Sequence, residues 1–137
     1  MTFFKKLSAA VLSLLLLSTA FCAAGELDGL NAIVTGGSRG IGEACVFALA
    51  REGANVAIVV NRSTDEAEKV AEKAKELGVD VCVFQCDVAN PNDVKMMVDV
   101  VIKRWGKIDI LVNKNRRQAW YLGICIFNSL TFLFSIL

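Results

Sequence analysis

The chain has 137 residues, 55% of them hydrophobic and 21% charged, with a formal net charge of +1, no histidine and a single proline. So balanced a charge gives no reason to expect a polyanionic partner such as nucleic acid, and the lack of histidine excludes Ser-His and Cys-His nucleophile pairs. Five cysteines are present, but Cys22 and Cys125 fall in the terminal segments, and Cys45, Cys82 and Cys86 read as small core residues without a zinc spacing or a disulfide framework.

Residues 1–24 place Lys5 and Lys6 before an apolar run from Leu7 through Phe21, and the small residues Ala23, Ala24 and Gly25 follow. That is the layout of a secretory signal peptide or, uncleaved, of a signal anchor. The expected location is therefore the secretory pathway or a membrane. Ser18-Thr19-Ala20-Phe21 also looks like the cleavage region of two-part signals that lead into complex plastids, which is the alternative. Residues 25–30 read as a linker, and a folded unit is expected over 31–113.

Ala32-Ile33-Val34-Thr35 is short, apolar and β-branched, as suits a strand buried on both faces of a parallel sheet. Thr35 to Gly42 then reads T-G-G-S-R-G-I-G. Ile41, Ala44, Cys45, Ala48 and Leu49 recur at helical spacing, with Glu43, Arg51 and Glu52 left to face water. The glycines thus occupy a strand-to-helix corner. Gly36 suits a tight turn, Gly40 lets a diphosphate approach the main chain, and Gly42 lets the helix pack closely. Free N–H groups at the helix start favour an anion there.

A second strand over Asn55–Val60 ends in Asn61-Arg62-Ser63, with no carboxylate at the corner. An acidic residue would accept hydrogen bonds from a free ribose 2′-hydroxyl, whereas a guanidinium pairs with a 2′-phosphate. Arg39 and Arg62 together therefore predict NADPH in preference to NADH. A helix over Asp65–Leu77 carries Ala67, Val70, Ala71, Ala74 and Leu77 on one face, and its charges form a solvated surface. Gly78 stops it, and Val79–Phe84 reads as a third strand. Asn90-Pro91 supplies a cap and a first-turn proline for a helix whose stripe is Val94, Met97, Val98, Val101, Ile102 and Trp105. Gly106 ends that helix, and Ile108–Asn113 reads as a fourth strand. Strands alternating with helices imply an α/β fold: a partial doubly wound, Rossmann-like parallel sheet of order 3-2-1-4, ending after strand four.

Thr35-Gly36-x-x-x-Gly40-Ile41-Gly42 resembles the cofactor motif of the short-chain dehydrogenase/reductases, most closely the 3-oxoacyl-(acyl-carrier-protein) reductase branch, and the resemblance runs over about residues 27 to 113. It implies a NADP(H) site built from Gly36, Ser38, Arg39, Gly40, Ile41 and Gly42 in the turn and from Arg62 and Ser63 at the second corner. It also implies adenine contacts from Asp87 and Val88, with a turn cap as the plainer role for Asp87. Asn113 matches the first residue of the family's Asn-Asn-Ala-Gly segment, but Lys114, Asn115 and Arg116 depart from it.

The family's catalytic asparagine, serine and Tyr-x-x-x-Lys pair have no counterpart. The one tyrosine is Tyr121, and Cys125 stands four residues on. Residues 114–137 form a basic and then apolar tail, uncharged from Trp120 to Leu137. It reads as the product of a retained intron or shifted frame, or else as a tail anchor. The resulting expectation is an NADPH-binding fragment of a carbonyl reductase, with 3-oxoacyl thioesters as the candidate substrate of its full-length parent, inactive by itself and with no catalytic residue and no metal. The alternative is a membrane-anchored NADPH-binding regulatory or interaction protein. Oligomeric state is not encoded in these elements.

Overall fold

The computed structural model describes residues 25–114. The signal segment and the apolar tail expected at the two ends lie outside the described residues. Within them the chain alternates strand and helix: β1 (Asn31–Thr35), α1 (Gly40–Arg51), β2 (Asn55–Val60), α2 (Thr64–Lys75), β3 (Val81–Gln85), α3 (Pro91–Trp105) and β4 (Ile110–Val112). The strands form one parallel sheet in the order β3-β2-β1-β4, as the alternation predicts. Ile33 of β1 stands beside Ala57 of β2 and Leu111 of β4, which fixes the register at the centre.

Each strand feeds both faces of the sheet, which is why the strands are apolar throughout rather than alternating with polar residues. Ile33, Ala57, Val59 and Leu111 pack with Val94, Met97, Val98 and Val101 of α3 on one face. On the other, Val34, Val56, Ile58 and Val60 pack with Val46 and Ala50 of α1 and with Ala67, Val70, Ala71 and Ala74 of α2. Cys82 and Cys86 join the α3 side, whereas Cys45 packs on the α1 side, and all three are free thiols. Among the described residues no helix is long and apolar enough to cross a membrane.

The structure departs from the periodicity in detail, and β3 runs over Val81–Gln85 rather than Val79–Phe84. The buried face of α1 is Gly42, Val46 and Ala50, while Ile41 is 75% exposed and Ala44 and Ala48 face solvent. Gly42 must lie against the turn, so the buried face centres on Gly42-Val46-Ala50, and of the expected Ile41-Ala44-Cys45-Ala48-Leu49 stripe only Cys45 and Leu49 pack, half-buried, beside it. Leu77 lies beyond the end of α2 and is exposed. β4 begins at Ile110 rather than Ile108, because the Asn31 N–H is taken by the Asp109 side chain at 2.9 Å, ahead of the ladder.

The starts of the strands are joined by amide side chains. Asn55 Nδ2 donates to Asn31 Oδ1 at 2.9 Å, Asn31 Nδ2 donates to the Lys107 carbonyl at 3.2 Å, and the Asp80 N–H donates to Asn55 Oδ1 at 3.0 Å. Nearby, Asp80 receives Arg104 through two bonds of 2.7 and 2.8 Å and the Trp105 indole N–H at 2.8 Å, tying the end of α3 to the start of β3. These polar ties sit at one end of the sheet. The other end, where the strands finish, carries the glycine turn between β1 and α1.

Candidate dinucleotide site

β1 delivers the chain into the glycine turn with Thr35 buried and Gly36 at φ +69°. Gly36 N–H donates to the Val59 carbonyl at 2.7 Å, which holds the turn against β2. Gly40 has φ +59°, and a Cβ added there would meet nothing within 4 Å, so the main chain at the helix start is open to a ligand. Gly42 is constrained by space instead. A Cβ there would lie 2.0 Å from the Gly36 carbonyl oxygen, so only glycine lets α1 begin this close to the turn.

The helix starts are informative when compared. At α3 the Asn90 side chain accepts from the Asn92 N–H at 3.0 Å. At α1 and α2 the residues before the helix, Arg39 and Ser63, make no side-chain cap. Their first-turn N–H groups, with the positive end of the helix dipole behind them, remain able to receive an anion. Both starts border one cleft of about 270 Å³ at the carboxyl ends of β1 and β2, lined by Gly36, Ser38, Arg39, Arg62, Ser63 and Val88, with Val59, Val60, Asn61, Cys86 and Lys114 completing the wall. None of these side chains is acidic. An open sheet of this kind binds ligands outside the carboxyl ends of its strands, and this cleft lies there.

Of the residues expected from sequence, Gly36, Ser38, Arg39, Arg62, Ser63 and Val88 line the cleft itself. Gly40, Ile41 and Gly42 form the first residues of α1 beside it, with Ile41 turned to solvent. Asp87 is exposed, and its Oδ1 accepts the Ala89 N–H at 2.9 Å, so part of its carboxylate closes the turn before α3. Asn113 Oδ1 accepts the Thr35 hydroxyl at 3.0 Å, which joins the ends of β4 and β1. Lys114 is the residue that sequence reasoning missed. The departure from Asn-Asn-Ala-Gly signals a lost contact, yet the same departure places a cation on the cleft wall.

Cys86 is buried at the cleft floor, and burial, with Asp93 and Asp87 adding negative charge, pushes its thiol up to about 11. Cys82 is likewise pushed up to about 11, chiefly by burial. Neither thiol supplies a nucleophile near neutral pH, because the thiolate is the reactive form. Among the described residues there is no group of histidine, cysteine or carboxylate side chains able to hold a metal ion.

Residues 30–115 match the family model described as short chain dehydrogenase. The chain belongs to this family. The short-chain dehydrogenase sequence here is 45% identical over 83 residues to the 3-oxoacyl-(acyl-carrier-protein) reductase FabG of Staphylococcus aureus, covering 61% of this chain and 34% of that protein. It is 42% identical over 86 residues to a short-chain dehydrogenase/reductase of Pestalotiopsis microspora, covering 63% of this chain and 32% of the relative. This short-chain dehydrogenase chain thus spans about a third of the length of the curated relatives it matches.

Among solved structures it is similar to a short-chain dehydrogenase from Burkholderia cenocepacia in complex with NADP, with TM-score 0.63, 34% identity, and coverage of 74% of this chain and 46% of that one. An NAD+-bound xylitol dehydrogenase superposes with TM-score 0.72 at 24% identity, over 76% of this chain and 49% of that one, a likeness of fold. The glycine turn and the cleft therefore lie within the segment matched to the family, whose members bind a nicotinamide dinucleotide.

Proposed function

We propose that this chain binds NADP(H), in preference to NAD(H), and is the cofactor-binding part of a carbonyl reductase. The observation that carries the reading is the cleft wall: Arg39 and Arg62 both border it, and no carboxylate does. A ribose 2′-phosphate carries negative charge that a guanidinium meets through paired hydrogen bonds, whereas a free 2′-hydroxyl calls for an acidic acceptor. The diphosphate fits over Gly40, where the main chain is open and the start of α1 lacks a side-chain cap. Val88 offers an apolar contact to the adenine.

When bound, such a cofactor supplies a hydride. The residues of this chain hold and orient it: the turn takes the diphosphate, and Arg39, Arg62 and Ser63 take the adenosine ribose. A proton donor for the reduced carbonyl is a separate requirement. The 137 residues carry one tyrosine, Tyr121, without a lysine four positions on. Reduction of a carbonyl, a 3-oxoacyl thioester included, belongs in this proposal to a chain that adds a tuned tyrosine and lysine. The apolar residues 7–21 support delivery into the secretory pathway, which signal cleavage and cell fractionation would test.

Arg62→Asp tests the cofactor reading. Hydrogen bonds to charged groups contribute about 1.5–3 kcal/mol. The variant should therefore bind NADPH more weakly by about tenfold to a hundredfold, while NADH binding holds or improves. Unchanged NADPH affinity in a folded Arg62→Asp protein would remove Arg62 from the site.

A further inference from the structure

We propose that Lys114 is a cofactor-binding residue, a third cation that meets the diphosphate of the ligand from the β4 side of the cleft; this rests on the NADP(H) reading above. Its main chain is fixed first. Lys114 N–H donates to Thr35 Oγ1 at 3.0 Å, and the same hydroxyl donates to Asn113 Oδ1 at 3.0 Å. Thr35 is 1% exposed, so the point from which the lysine departs is anchored in the core. From there the side chain lies across the glycine turn. A Cβ placed on Gly36 would stand 3.2 Å from Lys114 Cδ, 3.6 Å from its Cβ and 3.9 Å from its Cγ. The bare Gly36 main chain is thus the surface on which the lysine stem rests.

Lys114 lines the cleft that Arg39 and Arg62 also border. β1 stands between β2 and β4 in the sheet, so Arg62, after β2, and Lys114, after β4, flank the glycine turn from opposite sides. A ligand with one phosphate at the Arg62 corner and a diphosphate over the turn meets both. Among the described residues the ion pairs are Lys95–Asp99, Arg104–Asp80 and Lys107–Asp109, so no carboxylate holds Lys114 away from such a ligand. An ammonium on a flexible stem serves phosphate as a point charge and needs no fixed fork geometry. Lys114 therefore discriminates by the number of phosphates spanned, and Arg62 by the one on the ribose.

The test is calorimetric titration of the full chain and of Lys114→Gln and Lys114→Arg with NADP+ and with 2′-AMP, which carries the ribose phosphate but no diphosphate. Lys114→Gln should weaken NADP+ by about tenfold, equal to about 1.4 kcal/mol. It should leave 2′-AMP unchanged, and Lys114→Arg should recover most of the loss. Equal or tighter NADP+ binding by Lys114→Gln would overturn the assignment and mark the side chain as neutral or obstructive, with the cofactor reading intact. An equal loss for 2′-AMP would overturn the placement on the diphosphate. Wild-type protein that binds neither NADP+ nor NAD+ would overturn the cofactor reading itself, and this inference with it.

Discussion

At Gly42 a single hydrogen atom in place of a side chain decides where α1 begins. A methyl group there would fall 2.0 Å from the Gly36 carbonyl oxygen, a main-chain atom that cannot swing aside. Overpacking of a close contact costs about 1–3 kcal/mol, and more where backbone must shift. Gly42→Ala is expected to lower the urea midpoint correspondingly and to abolish dinucleotide binding, as read by chemical denaturation and by titration. A variant as stable as the parent, with binding intact, would show that the turn and helix separate freely. The positions of Gly36, Gly40 and Arg62 at the two strand-to-helix corners are legible in sequence because strand, turn and helix bracket them. Lys114 is not, since strand order alone sets neither the bond from its N–H to the Thr35 hydroxyl, 79 residues away, nor the course of its stem against Gly36.

Among the elements, α2 and α3 follow their apolar periodicity because each has one stripe that packs on the sheet: Ala67-Val70-Ala71-Ala74 and Val94-Met97-Val98-Val101. α1 does not, since small and apolar residues occur around its whole circumference and the contact at Gly42 sets its rotation. The tie between β3 and α3 gives a pH-dependent prediction. The hydrogen-bonded Arg104 guanidinium holds the Asp80 carboxyl below its ordinary value of 3.8, opposed by partial burial and aided by the Trp105 indole. A carboxyl lowered in the folded state contributes stability above its unfolded pKa and loses it as pH falls through the lower folded value. The Asp80 and Arg104 side chains are 40% and 49% exposed, so solvent screening limits the contribution to about 1 kcal/mol or less. Asp80→Asn should therefore unfold at lower urea than the parent at pH 7, with the gap closing below about pH 4 as the parent's carboxyl protonates. A gap that persists undiminished at about pH 2 would assign the effect to packing rather than charge.

As a whole, the two ends of the sheet differ: at the strand starts the carboxylates Asp80 and Asp109 pair with Arg104 and Lys107, whereas the cations at the strand ends have no carboxylate partner among the described residues. Asn31, Asn55, Asp80 and Asp109 secure one end of the sheet, and Arg39, Arg62 and Lys114 border the cleft at the other. Strand order is legible from alternation and chirality alone, because short parallel connections leave few arrangements. The amide ties are not, since asparagine at a strand start has no periodic signature. The central claim is that this cleft selects the phosphorylated dinucleotide, and its most direct measurement is parallel titration of the purified 137-residue chain with NADPH and NADH. NADPH should bind at least about tenfold more tightly, the equivalent of about 1.4 kcal/mol. Equal affinity, or tighter NADH binding, would contradict the account.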